Sequence, residues 1–307
     1  MYAFGPNCAA RPGDCSLSRH FKGIATRTVL LTVVAMLAFA ANSLLCRLAL
    51  GHRLIDAATF TTVRVISGAL TLSLFVLLRR RPRDRSTANW RSAVMLFTYM
   101  AFFSFAYLSL SAGTGALVLF GAVQLTMFIV ALREGEQFSL LSWAGLTAAI
   151  FGLLYLVSPG LTAPDPLGAV LMAVAGIAWG FYSLLGRGAS DPLEATARNF
   201  VYSVPLVLIV SLFFLHDFSS SRDGLALAVA SGAIASGCGY VIWYAALAGL
   251  TGTRAATVQL TVPVIAAFGG VILLSEQITL RLVIASVATL GGVAIVVAQR
   301  AAKASQS

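Results

Sequence analysis

The sequence predicts an all-α integral membrane protein with ten transmembrane helices, arranged as two inverted-topology five-helix repeats. Three observations carry this prediction. The 307 residues are 59% hydrophobic and only 10% charged, against roughly 45–50% and 25% in soluble domains, and the mean hydropathy is +0.89. Apolar runs of the ~20 residues needed to cross a bilayer recur along the chain between polar breaks. Short segments return after an interval of 140 residues, which holds five of these runs. Five is odd, so the second copy enters the membrane from the opposite side.

The runs are expected at 29–50, 56–78, 92–111, 114–132, 140–158, 167–186, 198–215, 224–248, 254–274 and 280–298. Arg79-Arg80-Arg81-Pro82-Arg83-Asp84-Arg85 cannot lie in lipid and separates the second run from the third. Ser158-Pro159-Gly160 and Ala163-Pro164-Asp165-Pro166 form a turn-rich link at mid-chain. The third and fourth runs have only Ser111–Gly115 between them. The expected organisation is a basic tail (1–28), a first repeat (29–158), a linker (159–166), a second repeat (167–298) and a short tail (299–307). Ten crossings use about 200 residues, which leaves no room for a soluble catalytic domain, an ATPase module or a DNA-binding domain.

The net charge of +10 reads as topology rather than as a nucleic-acid signal. With the N-terminus inside, sixteen of the 21 Lys and Arg fall on the cytoplasmic side. Both termini are therefore expected in the cytoplasm and the chain in the cell (inner) membrane. No apolar run precedes residue 29, so the first run is expected to remain as a signal anchor rather than be cleaved.

The repeat is visible in side chains. Ser43-Leu44-Leu45-Cys46-Arg47 returns as Ser183-Leu184-Leu185-Gly186-Arg187, and Glu136-Gln137 as Glu276-Gln277, both at an offset of 140. Ser139-Leu140 returns as Thr279-Leu280 and Gly152 as Gly292 at the same offset. Gln124-Leu125-Thr126 and Gln259-Leu260-Thr261 match at 135, out of this register, and are treated as independent. Inverted repeats are an architecture that secondary transporters use repeatedly, because exchanging the two conformations moves a central cavity from one side to the other.

Residues 252–298 read Gly-Thr-Arg-Ala-Ala-Thr-Val-Gln-Leu-Thr-Val-Pro-Val, then an apolar run into Leu273-Leu274-Ser275-Glu276, then a helix bearing Gly291-Gly292. This stretch resembles the ten-helix EamA-type carriers of the drug/metabolite transporter superfamily. The first half carries the same outline in Ser111-Ala112-Gly113, the Glu134/Glu136 pair and Gly152, so the resemblance covers 29–298. It implies a secondary-active exporter of small organic metabolites (amino acids or related compounds, drugs included), with the fourth and ninth spans among those lining the pathway. One departure stands out: Pro263 has Val123 as its counterpart, where a second proline is common in the family. The fourth span thus has no proline to kink it.

Polar residues inside the spans are the candidates for substrate binding, since an apolar helix does not need them to stay in lipid. Asn42 in the first span has Tyr182 in the sixth as its offset partner, so both are expected on equivalent faces. Trp179 lies one turn before Tyr182 on the same face. These three make an amide-plus-aromatic surface for a small solute, or else a helix–helix hydrogen bond with core aromatics. Gln124 and Thr126 lie near the middle of the fourth span, Gln259 and Thr261 in the ninth. Pro263 has no N–H for the Gln259 carbonyl, leaving that oxygen to water, a side chain or substrate. Tyr99, Tyr107, Trp243 and Tyr244 are weaker candidates; Trp243 suits an interfacial belt equally well, and Trp90 and Trp143 read as belt residues.

Three charges need a separate account. Arg64 lies ~12 Å along its helix from the expected outer end, a depth that costs on the order of 1–3 kcal/mol unless the side chain snorkels or is paired. A structural pair with Asp56, Glu276 or Asp223 is the expected resolution, and attraction of a substrate carboxylate is the alternative. Glu136 and Glu276 each stand three residues before a candidate N-cap, Ser139 or Thr279, where a carboxylate favours the start of the next helix. Proton coupling through one of them is the sharper alternative.

Enzymatic patterns are not found. Cys8 and Cys15 lie in the tail, Cys46 and Cys238 in apolar runs, and His20, His52 and His216 are far apart, so no metal site or cofactor is expected. There is no G-x-x-x-x-G-K-[ST], G-x-S-x-G or H-E-x-x-H. The expected partners are a small-molecule substrate and the lipid bilayer, not nucleic acid, with the chain a monomer or homodimer. A non-transporting scaffold or lipid-interacting protein is the alternative, favoured by a lipid-facing groove and disfavoured by an enclosed polar cavity.

Overall fold

The structure, a computed structural model, describes residues 14–79, 89–160, 162–187, 189–250 and 252–304, with side chains described between 26 and 299 apart from 252 and 253. Cys8 and the arginine run from Arg80 to Arg85 lie outside the described residues. The helices are α1 (Asp14–Gly51), α2 (Ala57–Leu78), α3 (Trp90–Ala106), α4 (Ala112–Arg133), α5 (Leu140–Val157), α6 (Pro166–Leu185), α7 (Pro192–Phe213), α8 (Arg222–Leu247), α9 in two pieces (Gly252–Gln259 and Thr261–Leu274) and α10 (Leu280–Ala304). Among the described residues nine helices are long and apolar enough to cross a membrane, and α3, with 17 residues, makes the tenth span.

Local chemistry sets the starts. Asp56, Asn89, Ser111, Ser139, Asp165, Asp191 and Ser221 each accept a first-turn backbone N–H, capping α2 to α8 in turn. Thr279 does the same for α10 through the Leu282 N–H at 3.1 Å. Four boundaries differ from expectation by five residues or more: α1 begins at Asp14 rather than 29, α10 runs on to Ala304 rather than 298, and the other two belong to α7 and α3. α7 begins at Pro192 rather than 198, because Asp191 and Pro192 make a cap and a first helical residue, and Glu194 pairs with Arg198 at 2.6 Å within the helix. α3 stops at Ala106 rather than 111: Tyr107 leaves the helical region, and a turn carries the chain into the Ser111 cap.

The helix partnerships are α3 with α6, α8 with α1, α4 with α6, α9 with α1, α2 with α7, and α5 with α10. This pattern maps onto itself when each helix is exchanged for the one five places along. The exchange is visible at one contact, where the Thr289 hydroxyl donates to the carbonyl of Ala149, 140 residues away, at 3.4 Å.

At the end of the bundle holding the 1–2, 3–4, 5–6, 7–8 and 9–10 connections, the halves are tied together. Arg47 Nε donates to Glu276 Oε1 at 3.1 Å, and the Glu276 carboxylate accepts the Ala112 N–H at 2.9 and 3.2 Å. Asp56 accepts the Ser219 N–H at 3.2 Å, Leu54 the Ser221 N–H at 2.8 Å, and Asp165 the Ser109 hydroxyl at 3.0 Å.

Candidate functional site

A cavity of about 580 Å³ lies between the halves and extends to the opposite end of the bundle, where Gly186, Arg187 and Leu247 stand at the α6–α7 and α8–α9 connections. Its walls come from both repeats: Phe39, Asn42, Tyr99, Phe103 and Gln124 from the first, Trp179, Tyr182, Asn199, Tyr240 and Gln259 from the second.

The inner end is a hydrogen-bonded group around Tyr99. Its hydroxyl oxygen accepts from Asn42 Nδ2 at 3.5 Å and from Arg64 Nη2 at 3.2 Å. Asn42 Oδ1 accepts from the Ser231 hydroxyl at 2.7 Å. Ser231 lies in a π-helical stretch of α8 (Ala230–Cys238), a local underwinding that often marks a functional site. That stretch approaches α2 so closely that any side chain at Gly232 would meet the Arg64 carbonyl.

Aromatic rings form the walls. Trp179 lies 4.7 Å from Tyr99, 5.3 Å from Tyr182 and 5.8 Å from Tyr240, centroid to centroid, and Phe39 bridges Tyr240 and Trp243 at 5.9 Å to each. Thr196 gives its one hydroxyl proton to the Pro192 carbonyl at 2.8 Å. It therefore accepts from Tyr182 at 3.2 Å and Tyr244 at 2.6 Å. Asn199 Oδ1 is buried with no hydrogen-bond partner among the described residues.

The structure brings Asn42, Gln124, Trp179, Tyr182 and Gln259 together on this cavity. Thr126 and Thr261 lie elsewhere. Two helical steps turn a side chain about 200°, so a threonine two places beyond a cavity-facing glutamine points away. Thr126 returns its proton to the Ala122 carbonyl at 2.8 Å and packs under Gly180 of α6. Thr261 is exposed on the bundle surface and bonds the Val258 carbonyl at 2.6 Å. The helix breaks between Gln259 and Thr261, as the missing Pro263 N–H requires.

The charges also differ from expectation. Arg64 is 1% exposed and makes none of the three expected pairs. Asp56 is spent on α2's first turn and on Ser219, Glu276 on Arg47 and Ala112, and Asp223 is exposed. Glu276 does serve a helix start, but that of α4 in the other repeat rather than of the α10 that follows it. Glu136 is exposed in the link before the Ser139 cap. Trp243 is buried on the cavity wall rather than in an interfacial belt.

Thr196, Asn199, Ser231 and Tyr240 were not singled out from sequence. Starting the seventh span at 198 put Thr196 outside it and Asn199 at its edge, although the Asp191-Pro192 start signal would have included both. Ser231 depends on π-helical phasing, which a regular helical period does not reveal.

The EamA-like transporter family model matches this chain twice, over residues 26–158 and 166–298. The chain belongs to the EamA-like transporter family. A Pseudomonas aeruginosa protein named uncharacterized protein PA1977 is 50% identical over 280 residues, covering 91% of this chain and 98% of its own. The uncharacterized transporter YoaV of Bacillus subtilis is 22% identical over 240 residues, covering 73% and 82%. A crystal structure 19% identical in sequence superposes with a TM-score of 0.62 over 89% of this chain and 98% of that one, a likeness of fold. This EamA-like protein is a multi-pass membrane transporter.

Proposed function

We propose that this chain is a secondary-active exporter of small organic metabolites, amino acids or related compounds among them, working by alternating access. One observation carries the reading: a partly polar cavity walled by both repeats reaches one end of the bundle only, while cross-repeat bonds close the other. The open end carries the Lys- and Arg-rich connections, so in the inner membrane with both termini cytoplasmic the structure is inward-open. Asn42, Gln124, Trp179, Tyr182 and Gln259 are the proposed substrate contacts. A proton or substrate gradient supplies the driving force.

A second reading rests on an apolar groove of about 640 Å³ between α4, α5 and α6, lined by outward residues such as Ile129, Val170 and Phe181. In a bilayer this groove takes an acyl chain, the feature a lipid-interacting protein needs. Its polar side chains among the described residues are Thr126, whose proton is already given to the Ala122 carbonyl, and Arg133 in the last turn of α4.

The test is uptake by everted vesicles, screened over amino acids with and without a pH gradient, for wild type, Gln124→Ala and Gln259→Ala. Loss of one neutral hydrogen bond weakens substrate binding by about 0.5–1.5 kcal/mol, so each variant is expected to raise KM several-fold while folding normally. Unchanged kinetics in both would take the glutamines out of the site.

A further inference from the structure

Arg64 poses a physical problem that its surroundings do not solve. It is buried to 1% exposure, and its Nε and Nη1 have no hydrogen-bond partner among the described residues. Its guanidinium carbon lies 4.8 Å from the Phe103 ring centre and 5.5 Å from that of Tyr99, contacts that offset only part of the cost of a buried cation. Among the described residues no carboxylate pairs with it.

The adjoining cavity continues the same electrostatics. Among the described residues its lining contains no Asp or Glu, and its one charged member is Arg187. Between Arg64 and the cavity stands Tyr99, whose oxygen already accepts from Arg64 and Asn42. With its lone pairs engaged, the phenol directs its own proton outward as a donor, strengthened by the cation behind it.

We propose that the inner end of the cavity is an anion subsite, with the Tyr99 O–H as contact and Arg64 as the positioning charge behind it, taking the carboxylate of a substrate whose apolar or aromatic body lies against Trp179. This rests on the transporter reading and deepens it: the substrate class becomes organic acids and zwitterions rather than organic cations. A carboxylate placed there supplies the negative charge that Arg64 lacks. A cation placed there meets repulsion in a site that solvent screens poorly.

The experiment measures tryptophan-fluorescence quenching of the purified full chain in lipid nanodiscs, with 3-phenylpropanoate and its neutral isostere 3-phenylpropanamide as probes. Trp179, in ring contact with Tyr99, is the reporting group. A charge-assisted bond predicts that wild type binds the carboxylate about ten- to a hundredfold more tightly than the amide. Arg64→Gln and Tyr99→Phe should abolish that preference by weakening the carboxylate much more than the amide, which loses at most one neutral hydrogen bond and binds at most several-fold more weakly. Arg64→Lys should restore most of it. Because Arg64→Gln risks misfolding, Tyr99→Phe, which removes one oxygen, tests the proposal independently. Equal binding of the two probes by wild type, or a preference that survives in folded Tyr99→Phe, overturns the anion subsite and leaves the transport cavity standing. Binding of neither probe overturns the subsite and counts against the cavity as a solute site as well.

Discussion

α4 runs unbroken for 22 residues, whereas α9, its counterpart in the second repeat, is divided after Gln259. The cause is one position: Val123 in α4 corresponds to Pro263 in α9. Burial differs in the same sense, with 67% of the most apolar stretch of α4 inside the protein against 28% for α9. α4 is also fixed at its start by the Glu276 carboxylate, which satisfies a first-turn N–H that would otherwise be an orphan in an apolar setting. The duplicated element has thus become a rigid post on one side of the cavity and a jointed wall on the other. Both present a glutamine to the cavity, Gln124 and Gln259, but only the second stands at a joint.

The largest test imposes the joint on the post. Val123→Pro removes a hydrogen bond within a buried, continuous helix and should cost about 3 kcal/mol or more. Loss of folded protein, or a melting temperature well below wild type, is the expected outcome; an unchanged melting curve would mean that α4 tolerates a break as α9 does. Next is the anchor. Glu276→Gln removes the charge from the bonds to Arg47 and the α4 N-terminus, worth about 1.5–3 kcal/mol. It should lower the melting temperature and increase thiol labelling of a cysteine placed at Ser109, at the tied end; unaltered labelling would show that this end is closed by packing alone. The smallest change mends the joint. Pro263→Ala restores the missing N–H and should leave stability within about 1 kcal/mol while slowing transport. Wild-type transport in this variant would make the break incidental.

Most of the architecture was legible because a bilayer imposes long apolar runs, and because the 140-residue echo of Ser43–Arg47 and Glu136-Gln137 showed the duplication directly. The echo also predicted that Asn42 and Tyr182 share equivalent faces, and both line the cavity. Partnerships across the repeats were not legible. Nothing in the sequence near Glu276 says that its carboxylate reaches Ala112, 164 residues away. Arg64 was misjudged for a related reason: proximity to Asp56 and Asp223 at one membrane face suggested a pair, but both carboxylates belong to that end's turns while the guanidinium turns inward. The two threonines failed on phase. They were grouped with the neighbouring glutamines by sequence proximity, although a two-residue step on a helix changes the face.

The brevity of α3 bears on the lipid as well as on the protein. Its 17 residues span about 26 Å, short of the ~30 Å of an average hydrocarbon layer. Beyond its last turn, the carbonyls of Tyr107 and Leu108 accept bonds from Arg47 at 3.2 and 3.4 Å, so the protein meets part of the shortfall internally. The rest falls on the surrounding bilayer, which must thin beside α3. Since α3 carries Tyr99 and Phe103, acyl-chain length becomes a mechanical input to the floor of the cavity: a thicker membrane pulls first on the span that holds it.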